Sequence, residues 1–142
     1  KDPAQAFGHP DWYPYRSVCT ISTHDMSTLR GWWEEDAKLT QQFYNQMLHR
    51  EGEAPRVAST DICEQVIKAH LSSNSIPCIL SLQDWLSIDE QWRNPDAQAE
   101  RINIPANPRH YWRYRMHITL EQLLKADSVN QKIIELIEKS GR

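Results

Sequence analysis

Apolar positions along this chain fall into two kinds of run. Val18-Cys19-Thr20-Ile21 lies in the first kind, over residues 17–21, and residues 76–82 form another. Both are short, rich in β-branched residues and nearly unbroken, a pattern that predicts strands buried on both faces, as in a parallel sheet. Pro77 is tolerated near the start of the second strand. The second kind of run has helical period. Trp33, Ala37, Tyr44, Met47 and Leu48 recur at that spacing over residues 27–48. Glu34, Glu35 and Asp36 then fall near the start of one long helix and suit its dipole. Gly31 weakens the first turn, so the regular part is expected from Trp33 onward. Glu51-Gly52-Glu53-Ala54-Pro55 is a break. Ile62, Cys63, Val66, Ile67 and His70 define one face of a second helix over residues 60–71, closed by Ser72-Ser73-Asn74-Ser75. Residues 17–82 therefore read β-α-α-β, two parallel strands joined through a crossover.

The remaining segments frame this unit. Residues 1–16, with Pro3, Pro10 and Pro14 among aromatics, predict a loop. Residues 83–118 predict short helical turns and then a connection long enough to be a functional or packed loop. Thr119-x-x-Gln122 reads as a capping box, and Ser128-x-x-Gln131 as a second one. The latter opens a terminal helix with Val129, Ile133, Leu136 and Ile137 inward and Gly141 just past its end. No internal repeat or low-complexity tract is present.

Size and charge narrow the function classes. The chain has 142 residues, a single domain's worth. A complete α/β barrel takes about 250 residues. The net charge of −3 gives no strong attraction to nucleic acid or acidic membranes, and no apolar stretch approaches a membrane span. Six Trp and five Tyr stand against two Phe. Their flat faces with a hydrogen-bonding edge suit sugars and ordinary packing edges alike. Cys19, Cys63 and Cys78 have no zinc-knuckle or redox-pair spacing and read as reduced, buried thiols. That usage favours a reducing compartment, so a cytoplasmic location is expected. Lys1-Asp2-Pro3-Ala4 carries neither an initiator Met nor a signal-peptide pattern, and the chain reads as trimmed from something longer.

Candidate chemistry gathers after the two strands. Ser22-Thr23-His24-Asp25 follows the first, where an α/β barrel presents catalytic side chains. Asp25 can stabilise positive charge developing on a sugar ring, and His24 can donate to ring hydroxyls. The plain alternative makes Asp25 a helix N-cap with His24 simply partnered. No further His and Asp stand at metal-ligand spacing, so neither metal nor cofactor is expected. Gln83 and Asp84 follow the second strand and can face the same site, or Asp84 can cap the next turn. Asn103, in the Pro-fixed loop Arg101-Ile102-Asn103-Ile104-Pro105-Ala106, can partner a sugar hydroxyl. For Arg113 and Arg115 the expectation is ion pairs that lock the loop. Trp32 can act as a stacking platform, although two adjacent Trp in an amphipathic helix usually include a core residue.

These blocks carry a resemblance. Ser22-Thr23-His24-Asp25-x-x-Thr28-x-x-Gly31-Trp32-Trp33 resembles the His-Asp block of 4-α-glucanotransferases, the amylomaltase or disproportionating-enzyme family of glycoside hydrolases, family 77. Gln83-Asp84-x-Leu86 is similar to the segment after that family's eighth barrel strand. Arg101–Ala106 together with Tyr111-Trp112-Arg113-Tyr114-Arg115 resembles its Arg-Met-Asn-Val-Pro-Gly and Asn-Trp-Arg-Trp-Arg blocks. The three blocks occur in order over about residues 17–124. Departures are modest: Met26-Ser27 replaces a more polar pair, Ala106 replaces Gly, and Tyr111 and Tyr114 replace Asn and Trp.

The resemblance implies the C-terminal portion of a (β/α)8 TIM barrel, strands seven and eight with their helices and a helical tail, the whole of residues 1–142 being one such piece. It implies a retaining enzyme that transfers α-1,4-glucan segments to glucose or glucan acceptors, with maltose and α-1,4-glucans as substrates and no nucleic-acid or membrane partner. Asp25 maps to the transition-state stabiliser and His24 to a sugar-binding His. Asn103, Gln83 and Trp32 are expected at the substrate. The nucleophile and the acid/base carboxylate belong to earlier strands, so this piece alone is expected to be inactive and to need the rest of the parent barrel. Two other readings stay open: a carbohydrate-binding module for α-glucans that stacks sugars on Trp32, Trp112 and Tyr114, and a purely structural domain.

Overall fold

A computed structural model describes residues 6–142. The expectation for Pro3 and the residues before it lies outside the described residues. Six α-helices organise the rest: α1 (Leu29–Trp33), α2 (Ala37–Gln46), α3 (Thr60–Leu71), α4 (Leu82–Leu86), α5 (Leu120–Leu124) and α6 (Asp127–Ser140). Short 3-10 turns occupy Pro10–Trp12 and Gln98–Glu100.

The expected strands are corrected. Among the described residues the two extended segments meet at a single parallel bridge, Cys19 to Cys78. The Cys19 N–H donates to Pro77 O at 2.9 Å and the Ile79 N–H donates to Cys19 O at 2.9 Å. Pro77 has no N–H to extend the ladder on its side. The parallel sense matches the crossover reading, but burial on both faces does not hold. Cys19 is fully buried, whereas Val18 and Ile79 are 59% and 61% exposed. One side of this pair is therefore packed and the other is open.

The single long helix expected over residues 27–48 is two helices. Glu34, Glu35 and Asp36 make the break rather than a first turn. Asp36 leaves the helical region and its carboxylate accepts the N–H groups of Lys38 and Leu39, which makes it the N-cap of α2. Thr28 caps α1 through its hydroxyl. Gly31 lies where α1 meets the 97–100 turn; a Cβ there would come within 3.3 Å of Ser27 Cβ and 3.7 Å of Ala97 O.

Helix α3 has the predicted limits and buries Ile62, Cys63, Val66, Ile67 and Leu71. Full burial of each large aliphatic side chain contributes about 1.5–3 kcal/mol. These residues join Leu29, Trp33, Ile88, Ala126, Val129 and Leu136 in one core. Val129 and Leu136 are buried and Ile133 packs partly, on the inward face expected for α6. The Thr119–Gln122 capping box forms in both directions. The second box does not: α6 begins at Asp127, so Ser128 lies inside it, and its hydroxyl donates to Asp89 Oδ2 at 3.0 Å. Gly141 ends α6 with φ +77°. Beyond it, the Arg142 guanidinium donates to the carbonyls of Leu71, Ser73, Ser75 and Ile76, filling the C-terminal end of α3.

Candidate functional site

Residues 22–28 leave the bridge and climb to α1 without regular structure. Asp25 is not an N-cap, because Thr28 holds that place. Its side chain is about half exposed, as is that of His24. Asp25 Oδ1 accepts the Asn103 side-chain amide at 2.7 Å and stands 3.4 Å from His24 Nε2. Among the described residues Oδ2 takes no hydrogen bond. The Asn103 backbone N–H donates to His24 O at 3.0 Å. Three residues singled out from sequence, with Asp25 and Asn103 78 positions apart, therefore converge at one point. The Trp112 ring stands 5.3 Å from the His24 ring, tilted by 47°, and is 62% exposed.

Beside His24 lies a cavity of about 360 Å³ on the open side of the bridge, lined by Val18, Thr20, His24, Ile79 and Gln83 among others. Gln83 is buried and its amide donates to Glu100 O at 3.2 Å, so it borders the cavity while holding the 98–100 turn. Trp32 is elsewhere. It packs edge to face on Phe7, Trp33 and Phe43, with centroids 6.3, 6.4 and 5.2 Å away. Trp32 and Phe43 line a second, apolar cavity with Met47, Val66 and His70. Trp33 is buried and its indole N–H donates to Pro55 O.

A buried polar network supports the site, and the sequence reading missed most of it. Asp84 is 1% exposed. Its Oδ2 accepts from Ser22 Oγ at 2.5 Å and Ser81 Oγ at 2.8 Å, and its Oδ1 accepts the Leu29 N–H at 2.9 Å. It therefore ties both extended segments to the first N–H of α1; it is not the N-cap of the following turn, which is Ser81, and it does not line the cavity. Glu100 and Arg30 are 2% and 3% exposed and pair at 2.6 Å. Glu100 Oε2 also accepts from Thr28 Oγ1 at 2.8 Å. Burial pushes the Glu100 carboxyl above its ordinary range, with the Arg30 charge and the Thr28 and Arg30 hydrogen bonds pulling it back down and the Asp84 charge adding to the rise. Burial likewise raises the Tyr114 phenol, helped by the Glu100 carboxylate. Single charged residues give no sign of this in the sequence; only the long-range partners make them core groups.

Arg113 and Arg115 form no ion pair among the described residues. Arg113 instead stacks over the Tyr111 ring, 5.0 Å from its centroid. No cluster of three or more His, Cys, Asp or Glu is arranged to hold a metal ion among the described residues. No helix among them is long and apolar enough to cross a membrane.

The family model described as 4-alpha-glucanotransferase matches residues 1–121. Similar proteins include the 4-alpha-glucanotransferase DPE2 of Oryza sativa subsp. japonica, 39% identical over 141 residues, which cover 99% of this chain and 15% of that protein. A 4-alpha-glucanotransferase of Chlamydia pneumoniae is 32% identical over 124 residues, 87% of this chain and 22% of its own length. The chloroplastic/amyloplastic 4-alpha-glucanotransferase DPE1 of Oryza sativa subsp. japonica is 29% identical over 135 residues, 93% of this chain and 19% of its own. The chain thus spans between 15% and 22% of the length of these three relatives. With the His24–Asp25–Asn103 convergence lying inside the matched residues, the chain belongs to the 4-alpha-glucanotransferase family, glycoside hydrolase family 77.

Proposed function

We propose that this chain is the C-terminal part of a (β/α)8 catalytic barrel of a 4-α-glucanotransferase, acting in the cytoplasm on maltose and longer α-1,4-glucans. The observation that carries the reading is the Asp25 carboxylate held by Asn103 beside His24, which itself lines an open cavity. In a retaining transfer, one carboxylate attacks C1 of the donor sugar while a second protonates the departing glycosidic oxygen, the two lying about 5 Å apart. The glycosyl ester then gives its sugar to the 4-hydroxyl of glucose or a glucan, whose proton returns to the second carboxylate. Both groups belong to the rest of the barrel. Asp25 supplies the third charge. With Oδ1 bonded to Asn103, Oδ2 is left to meet the sugar, where negative charge favours the oxocarbenium-like transition state over the neutral ground state. His24 Nε2 and the Asn103 amide are placed to bond ring hydroxyls beside it. The exposed Trp112 face next to His24 offers a sugar a flat apolar surface. Gln83 supports the cavity floor. Trp32 lies at the second, apolar cavity and not at this one.

The test is Asp25→Asn in the full-length enzyme, with glucose release from maltotriose as the readout. Loss of about 10²-fold or more in kcat with little change in KM is expected, the pattern of an interaction made in the transition state. Unchanged turnover would leave this segment a structural role only. The isolated 142-residue chain is expected to show no transfer, because it holds neither the nucleophile nor the proton donor. A second reading, a binding module that stacks α-glucans on Trp112, is separated by calorimetry of the isolated chain with maltoheptaose: tight binding would favour it.

A further inference from the structure

Asn103 is fixed from three directions. Its amide reaches Asp25, its N–H reaches His24 O, and its carbonyl accepts the Arg101 Nε–H at 3.0 Å. The third bond has no counterpart in secondary structure, since residues 101–116 contain none. Arg101 extends further. Its Nη1 donates to Ser27 Oγ at 3.0 Å, and Ser27 Oγ in turn donates to Glu35 Oε1. The Arg101 and Glu35 charges stand 3.6 Å apart. Ser27 is buried and lies two positions after Asp25. Asp25, Asn103, Arg101 and Ser27 therefore form a closed ring of hydrogen bonds and chain, with the carboxylate and its amide partner on one side and the guanidinium on the other. A planar guanidinium with two donors in fixed directions holds two acceptors on separate segments in register.

We propose that Arg101 is a positioning residue for the reaction: it clamps the 101–103 loop to Ser27 and Glu35 so that the Asn103 amide holds the Asp25 carboxylate in its productive direction. This rests on the role given to Asp25 above. Arg101 touches no reacting atom; it acts through Asn103. A misplacement of about 1 Å in such a group can cost about 10²-fold in rate.

The test is a mutant cycle in the full-length enzyme, again reading glucose release from maltotriose. Arg101→Ala is expected to lower kcat by about tenfold or more, with KM changed by less than about threefold. Asn103→Ala is expected to do the same. In the Asn103→Ala background, Arg101→Ala is expected to change kcat by less than about twofold, because residues that act as one unit are not additive. Arg101→Lys keeps the charge but reaches only one acceptor, so its kcat should fall between wild type and Arg101→Ala. An equal loss from Arg101→Ala in both backgrounds, or an Arg101→Ala kcat equal to wild type, would overturn the clamp. Asp25→Asn, run alongside, separates the two failures: if it is inactive while the cycle is additive, only the clamp falls; if it turns over like wild type, the reading of the site falls with it.

Discussion

Removing the Glu100 carboxylate probes the support beneath the site. Glu100→Ala leaves the Arg30 guanidinium 3% exposed without its charge partner, and Thr28 Oγ1 without its acceptor. Arg30 keeps one bond, from Nη1 to Asn94 O at 2.7 Å, while its Nε already lacks a partner. Breaking one side of a buried pair costs about 3–5 kcal/mol, and the orphaned Thr28 hydroxyl adds about 1 kcal/mol. The parent is long, so a single unfolding transition is the wrong readout. Native-state hydrogen exchange reports local opening instead. The Trp32 N–H, bonded to Thr28 O at 2.9 Å, and the Asn103 N–H, bonded to His24 O at 3.0 Å, lie on the two sides of the pair. Protection of the Trp32 amide should fall by about two powers of ten or more in Glu100→Ala, and that of Asn103 with it. Arg30→Met combined with Glu100→Leu removes both charges and should recover most of the loss. A change below about 1 kcal/mol in Glu100→Ala, the size of an exposed ion pair, would refute the view that this pair is a buried anchor.

Other outcomes follow from the same structure. His70 is half-buried and its imidazole is held below its ordinary value of 6.5, mainly by desolvation. The unfolded chain then binds the proton more readily than the folded one, so amide protection in α3, corrected for intrinsic exchange, should fall as pH drops below 6.5, and His70→Leu should show a shallower fall. Burial raises the Cys63 and Cys78 thiols to about 11, so both should react slowly with a disulfide reagent at pH 8 until denaturant is added. Leu136→Ala opens the α3–α6 contact and should cost about 2–5 kcal/mol, read as lost amide protection in α6.

Sequence and structure part company for identifiable reasons. Helix α3 was legible because one face carries its burial with no competing signal, and α5 because both halves of its capping box are local. The strands were not legible as such, because a short apolar run says nothing of where its partners come from, and these two meet at one residue pair. The acidic run Glu34-Glu35-Asp36 read as a favourable first turn, yet Asp36 competes better as a cap for the following helix. At the site, His24, Asp25 and Asn103 were legible through ordered blocks. Asp84, Glu100, Arg30 and Arg101 were not, since their partners lie 55 to 74 positions away in the chain. Adjacency hides which of Trp32 and Trp33 is the buried one: both rings meet Phe43, and it is Trp33 that is 1% exposed.

The Asn103–Asp25 contact also has a kinetic meaning. It closes a loop of 78 residues, and the entropy of closing such a loop must be met before the bond rewards it. Helices α2 and α3 form from local contacts inside that loop and shorten the effective distance. The carboxylate is therefore aligned late, after the helices have docked. During refolding of the whole enzyme, helical signal should return first and catalytic competence afterwards, this closure being one of the long-range steps that competence waits for.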